Sequence, residues 1–493
     1  MTATALPLII QGGMGIGVSG WPLARAVSLR GQLGVVSGTA LDSLLVRRLQ
    51  DGDLTGQLRR AMESFPIPHV AAAVLRRYFR AEGRPAGEPY RLIPLYQQIV
   101  SRARQQLTVL AAFLEVRLAK EGHGGPVGVN LLTKLQLPTL ASLYGAMLGG
   151  VDYVLMGAGI PREIPGVLDA FAEHRPASLR LEVDGLPADR SELITFDPRE
   201  HWTGAPPPVT RPRFLAIVAS NSLATVLARK ASGRVDGFVV EGPTAGGHNA
   251  PPRGEMRLNE RDEPIYGERD VVDLEKLGDL GLPFWVAGGA GSPARLRAAL
   301  GAGATGVQVG SLFAFCDESG LADDLKQSVL EHARRGQVDV FTDPRASPTG
   351  YPFKVVRWPD DPGLAVPRER RCDLGYLRTA YYTPEGRIGY RCPAEPAEAF
   401  VRKGGHLEET LGRRCLCNAL MANIGHGQVR AGGLAESPLL TSGDDLRDIG
   451  SFLAGRTSYS AGDVLDYLLA DSVKSPAGGY PPTASQNPVK TST

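Results

Sequence analysis

The stretch "FWVAGGAGSPARLRAALGAGATGVQVGSLF", Phe284–Phe313, holds one full repeat of an architecture. Phe284–Ala287 is short, apolar and followed by glycines, which reads as a buried strand. Gly288, Gly289 and Gly291 make a turn, and Pro293–Leu300 carries helical patterning with its proline at the start. A second glycine turn leads into the run Gly306–Val309, after which Gly310-Ser311 opens another helix.

Working outward, the same theme of apolar run, turn and helix recurs. The runs are Leu6–Ile10, Leu33–Ser37, Val127–Leu131, Tyr153–Met156, Phe214–Ala219, Gly237–Val240, Phe284–Ala287 and Gly306–Val309. Runs that do not alternate apolar with polar indicate strands buried on both faces, as in parallel sheets. Between most of them lie the helical patterns Trp21–Leu29, Leu137–Leu148, Ile164–His174, Ser222–Lys230 and Pro293–Leu300. Alternation of this kind selects the α/β class, and eight units select a TIM (β/α)8 barrel, with an open doubly wound sheet as the alternative.

Three segments interrupt the alternation. Leu41–Glu121 reads as a large helical insertion, with patterns at Leu54–Phe65 and Leu95–Leu118. Ala177–Arg211 is an excursion ending in the proline-rich "TGAPPPVTRP" (Thr203–Pro212), and Asn249–Asp279 is a candidate lid. The expected organisation is therefore a barrel over 1–335, an additional C-terminal region over 336–471 and a disordered tail over 472–493. A net charge of +2 among 493 residues gives no electrostatic case for nucleic acid or an anionic membrane. The absence of a long apolar run and of a signal pattern leads to a cytoplasmic expectation. Five cysteines do not read as a disulfide framework.

The chemistry clusters at strand ends. In barrels of this class the loops after the seventh and eighth strands hold phosphate by backbone N–H groups. Gly288-Gly289 and Gly310-Ser311 fit that use, although each turn has packing alone as its plainer explanation. The cluster "IIQGGMGIGVSG" (Ile9–Gly20) follows a strand but is no dinucleotide fingerprint, because its spacing is irregular and no acidic residue ends Leu33–Ser37. Its Gly12, Gly13 and Met14 leave room for a flat ligand across the barrel mouth. Asn130 could face a heterocycle edge or simply form a turn. "VEGPTAGGHNAPP" (Val240–Pro252) places His248 just past a strand's carboxyl end, either as a working imidazole or as a loop residue without duty. Cys372, Cys392, Cys415 and Cys417 lack a paired CxxC spacing; buried thiols are expected there and no metal, and Cys316 reads as core.

With these residues in view, the chain resembles the flavin-dependent nitronate monooxygenase family (2-nitropropane dioxygenase-like) and the related trans-acting enoyl reductases. The matching pieces are "LIIQGGMG" (Leu8–Gly15), "GVNLL" (Gly128–Leu132), "EGPTAGGH" (Glu241–His248), "VAGGAG" (Val286–Gly291) and "GATGVQVGSLF" (Gly303–Phe313). The resemblance implies FMN, with its phosphate at Gly288-Gly289 and Gly310-Ser311. It puts the isoalloxazine near Gly12, Gly13, Met14, Asn130, Gln308 and Ala245, Gly246, Gly247, with His248 as the active-site histidine. It further implies oxidation of alkyl nitronates or nitroalkanes with O2 to a carbonyl compound and nitrite, His248 acting near neutral pKa. Gly12-Gly13 stands where the family usually has Ala-Pro, and "ASPTGYPFK" (Ala346–Lys354) is closer to the reductase branch. An FMN- and NADPH-dependent enoyl reductase is thus the runner-up, and a non-enzymatic phosphate-ligand-binding barrel the third reading. Small molecules are the expected partners, and a homodimer is compatible with every reading.

Overall fold

A computed structural model describes residues 6–365, 368–430 and 433–470. Eight parallel strands close into a barrel: β1 (Ile9–Gln11), β2 (Leu33–Ser37), β3 (Val127–Leu132), β4 (Tyr153–Gly157), β5 (Arg213–Val218), β6 (Gly237–Glu241), β7 (Phe284–Ala287) and β8 (Gly306–Val309). Each strand pairs with its neighbours in chain order, and β8 returns to β1. The expected TIM barrel is present, and the open sheet is excluded by this closure. The first strand starts at Ile9 instead of Leu6 and the fifth ends at Val218 instead of Ala219.

Strand period fixes what the barrel encloses, because alternate side chains point to opposite faces. Ile10, Leu33, Val35, Tyr153, Leu155, Leu215, Val239, Trp285 and Ala287 form one buried cluster inside the barrel. Trp285 fills its base and donates its indole N–H to the Pro7 carbonyl at 2.8 Å. Ile9, Val36, Val129, Val154, Phe214, Phe238, Val240, Val307 and Val309 face outward and pack under the helices. Continuing the inward parity toward the carboxyl ends brings the next layer into view: Gly12, Ser37, Asn130, Gly157, Glu241 and Gln308.

The insertion after β2 is helical, as expected, at Leu41–Gln50, Gln57–Met62, Pro68–Tyr78 and Arg102–Ala119. Two of these begin later than the apolar pattern suggests. Ser101 caps the last helix through Arg104 N–H, while residues before it spend their polar groups elsewhere. Gln98 N–H donates to Tyr390 Oη at 2.6 Å, and Arg378 donates to the Tyr96 carbonyl. Upstream, Asp53 accepts from Leu58 N–H at 3.2 Å and Arg59 N–H at 3.0 Å, which sets the start near Gln57. The buried Arg102–Ala119 helix crosses Gln136–Leu148 closely, since a Cβ on Gly145 would lie 2.2 Å from the Val109 carbonyl oxygen.

The excursion after β4 contains an antiparallel pair, Ala177–Leu181 with Glu192–Phe196. Residues 336–470 do not stand apart from the barrel. Val340, Val356, Trp358, Leu440 and Leu465 belong to the same apolar core as its helices, and the hairpin Asp339–Asp343 with Phe353–Arg357 reaches the mouth. The expected disordered tail at 472–493 lies outside the described residues. Among the described residues no helix is long and apolar enough to cross a membrane.

A buried ion pair within the insertion is joined to the C-terminal region through Tyr376. Asp42 accepts from Arg104 Nη1 at 2.5 Å, from Thr108 Oγ1 at 2.8 Å and from the Tyr376 hydroxyl. Burial alone would raise the Asp42 pKa, but Arg104 and these hydrogen bonds together hold it below the usual carboxylate value. Replacing one partner leaves the other charge buried and unpaired. Asp42→Ala should therefore cost about 3–5 kcal/mol in urea unfolding, whereas Tyr376→Phe, which removes one hydroxyl, should cost about 1–2 kcal/mol.

Candidate active site

A cavity of about 420 Å³ opens at the carboxyl ends of the strands, where barrel enzymes carry their chemistry. Every site residue expected from the sequence lines it: Gly12, Gly13, Met14, Asn130, Ala245, Gly246, Gly247, His248, Gly288, Gly289, Gln308, Gly310 and Ser311. The floor is the last inward layer of the barrel. In register, Gln308 lies opposite Ala287, and Ala287 opposite Glu241, so a methyl group separates two polar side chains. Gly13 cannot carry a side chain, because its Cβ would sit 2.3 Å from Asn130 Cβ.

Two features of this floor ask for a ligand. Asn130 Oδ1 and Gln308 Oε1 are buried without any hydrogen-bond partner, an expensive state for a polar group unless something else binds there. On one side of the mouth, the backbone N–H groups of Gly288, Gly289, Gly310 and Ser311 donate none of the described hydrogen bonds. Gly288 has φ +88° and Gly289 φ +64°, a conformation that turns successive amides toward one side at little cost only in glycine. Acceptor-free amides at one end and orphaned amide oxygens at the other suit a ligand with an anionic tail and a polar heterocycle.

The same end carries a group the sequence did not reveal. Asp445 accepts from Gly291 N–H at 3.2 Å, and Gly443 N–H donates to Ser311 Oγ at 3.0 Å. Burial raises the Asp445 pKa, against the lowering effect of the Gly291 amide.

His248 is held from two sides. Its Nε2 lies 2.6 Å from Ser347 Oγ, which in turn lies 2.8 Å from Thr349 Oγ1. The Phe353 ring packs edge-on against the imidazole with centroids 4.8 Å apart. Ser347, Thr349 and Phe353 all belong to the "ASPTGYPFK" segment, so that segment is the support of the histidine. Thr349 N–H already donates to Ser347 Oγ. If the Ser347 hydroxyl donates to Thr349 Oγ1, it accepts from Nε2–H, and this leaves the Nδ1 lone pair free to take a proton. Burial pushes the His248 pKa down to about 4, not near neutrality as the sequence reading expects, because removing water penalises the imidazolium. The imidazole is neutral at pH 7.

Three further groups of residues line the cavity without a signal in the sequence reading. Glu241 was visible in "EGPTAGGH" but looked like the end of a strand. Arg253, Tyr266 and Asp270, from the candidate lid, do line the cavity. Thr441, Ser442, Gly443 and Asp445 come from almost two hundred positions downstream of His248, and no local pattern announces such a contact. The five cysteines are free thiols, with Cys372 and Cys392 hydrogen-bonded to each other. None of the five lines the cavity.

Residues 204–342 match the family model described as nitronate monooxygenase. The match spans β5 to β8 and both the histidine loop and the paired glycine turns, and it bears out the resemblance read from the motifs. By this relation the chain is an oxidoreductase of the flavin-dependent kind. No curated protein matches the sequence. Among solved structures, the chain is similar to FabK from Thermotoga maritima, at 17% identity over 95% of this chain and 94% of that one, with a TM-score of 0.45. It is also similar to nitroalkane oxidase from Streptomyces ansochromogenes, at 15% identity over 95% and 96%, TM-score 0.45. A third is the enoyl reductase domain of MlnA from Bacillus amyloliquefaciens, at 11% identity over 95% and 97%, TM-score 0.42.

If Ser347 fixes the tautomer and pose of His248, Ser347→Ala should release the ring. The expected result is a new or broadened pair of His248 imidazole resonances in NMR, with a stability loss of only about 1 kcal/mol. Unchanged His248 resonances in that variant would remove Ser347 from the site.

Proposed function

We propose that the chain is an FMN-dependent nitronate monooxygenase, converting alkyl nitronates or nitroalkanes and O2 to a carbonyl compound and nitrite. The observation that carries this reading is one cavity lined by unengaged amides at Gly288, Gly289, Gly310 and Ser311, by two orphaned amide oxygens and by a neutral histidine. The four amides would hold the FMN phosphate. Asn130 and Gln308 would meet the polar edge of the ring, over a floor kept flat by Gly12, Gly13 and Ala287. FMN, when bound, supplies the electron transfer between the nitronate carbon and oxygen.

The rest is the work of this chain. Neutral His248 accepts the α-proton of a nitroalkane at Nδ1, and Ser347 Oγ accepts from Nε2–H, so the imidazolium that forms is stabilised where it stands. A base whose conjugate acid has a pKa near 4 is weak, which favours nitronate over neutral nitroalkane as the form consumed. Arg253 is the cationic side chain lining the cavity, and it attracts an anion to the mouth. Tyr266, Tyr351 and Phe353 narrow the opening and limit water.

A trans-acting enoyl reductase is the second reading, favoured by the fact that the reductase-like "ASPTGYPFK" segment builds the histidine's support instead of lying elsewhere. The two separate by reductant. Purified protein should be yellow and release FMN on denaturation, and anaerobic ethyl nitronate should bleach it while NADPH does not. Rapid bleaching by NADPH with turnover of an enoyl thioester would establish the reductase instead.

His248→Asn should retain FMN and lose about a hundredfold in turnover of neutral nitroalkane, with a smaller loss on preformed nitronate. Because burial lowers the His248 pKa, the base is unprotonated above about 4. The acid limb of the wild-type profile should therefore fall near pH 4 and vanish in the variant. Asp445→Asn removes a carboxyl from beside the phosphate amides and should tighten FMN by about tenfold, roughly 1.4 kcal/mol, in fluorescence titration.

A further inference from the structure

Glu241 ends β6 with its side chain on the inward face, two residues beyond Val239 in the barrel core. It lines the cavity, yet no described hydrogen bond or ion pair involves its carboxyl. It faces Ala287, whose methyl cannot interact with it, on one side, and Ile217 and Ala219 belong to the strand end on the other. A carboxyl in such a place is not neutralising a cation of the protein. Gly12 and Asn130, which mark the ring side of the mouth, lie three strands away from it in opposite directions around the barrel. Its own side is the one covered by Tyr266 and by the loop that carries His248.

We propose that Glu241 is a specificity-determining group of this cavity, donating its carboxylic O–H to an oxygen of the anion that Arg253 attracts and whose carbon faces His248. The assignment rests on the reading of the substrate as a nitronate, and deepens it. With no cation of the protein beside it the acid keeps its proton, and burial pushes the Glu241 pKa up to about 8. Below that pH the group is a neutral donor, as an anion requires. Above it a carboxylate faces the anion and repels it. The preference this produces is for an oxyanion able to accept that hydrogen bond.

The other titratable and charged groups around the cavity do not duplicate this behaviour. His248 titrates near 4 and is neutral throughout. Burial raises the Tyr266 hydroxyl above its ordinary range, with Asp270 and Glu241 adding to the effect. Asp270 accepts from the backbone N–H of Arg253 at 2.9 Å, at the outer rim. Tyr351 stands on the "ASPTGYPFK" side, and Asp445 is bonded to Gly291 at the phosphate end.

Nitrate, a planar oxyanion that is not turned over, tests this on the flavin-loaded enzyme by calorimetric titration from about pH 7 to about pH 9.5. Wild-type affinity should be flat below about pH 8 and fall about tenfold per unit above it, the slope of one linked proton. Glu241→Gln, which keeps the shape and an N–H donor without the ionisation, should bind nitrate with no such fall. Glu241→Ala should bind about tenfold more weakly at pH 7, the scale of one hydrogen bond to a charged group. A wild-type slope retained in Glu241→Gln overturns the assignment, as does wild-type affinity in Glu241→Ala or the absence of nitrate binding. Loss of flavin from Glu241→Ala, with the nitrate slope unchanged, also overturns it and assigns the carboxyl to the cofactor. The expected nitrate pattern without turnover of any nitronate would leave Glu241 as an anion donor and overturn only the substrate reading.

Discussion

The constraint on which the site depends is the parity of a closed barrel. Each strand must alternate inward and outward, and the inward positions fill a shaft of fixed width. Where the shaft is sealed, the positions are Leu33, Leu155, Leu215 and Trp285, and the layers are dry. One layer further on, the same parity delivers Gly12, Asn130, Gly157, Glu241 and Gln308 to a surface that helices cannot cover. Small residues leave the floor low, and among the polar ones the amide oxygens of Asn130 and Gln308 have no protein partner. The binding site is thus what the barrel's own periodicity leaves unsatisfied at its carboxyl end.

Desolvation then sets the ionic state of that site, and it acts in opposite senses on its two key groups. It drives the proton off His248 and onto Glu241. Both groups are neutral at pH 7, so the cavity combines a lone pair on one side with an acidic hydrogen on the other without holding net charge of its own there. A neutral pair of this kind accommodates an arriving anion, which a paired imidazolium and carboxylate would not do, since they would already satisfy each other. The buried cation Lys354 is engaged by Asp444 at 2.9 Å and does not line the cavity.

Most of the barrel was legible in the sequence because its signals are local. The eight runs, the paired turns at Gly288-Gly289 and Gly310-Ser311, and the histidine loop each announce themselves within a few residues. Element boundaries were less legible where tertiary bonds compete with helix formation, as at Tyr96 and Gln98, whose polar groups bind Arg378 and Tyr390. The ionic state of His248 could not be read at all. A pKa depends on how much water the fold removes, and nothing in "AGGHN" encodes that. The same is true of Glu241, whose significance rests on the lack of a partner.

The contribution of residues 336–470 shows why the histidine loop cannot be understood from the barrel alone. Its glycines look like freedom, yet the chain pins nearly every group. Gly247 N–H donates to Thr441 Oγ1 at 2.9 Å, and its carbonyl accepts from Lys354 N–H at 2.9 Å. The Thr244 carbonyl accepts from Asp444 N–H at 3.0 Å, and Asn249 N–H donates to the Pro352 carbonyl at 2.9 Å. A Cβ on Gly246 would come within 2.7 Å of the Ser442–Gly443 backbone. Glycine is needed here for close approach by a distant segment as much as for a turn. The loop supplies the imidazole, the C-terminal region supplies its backbone partners, and only their contact gives His248 a fixed direction. On the proposed function, a base that must meet one carbon at one angle cannot sit on a loop free to move, and here the imidazole belongs to the barrel sequence while its rigidity comes from outside it.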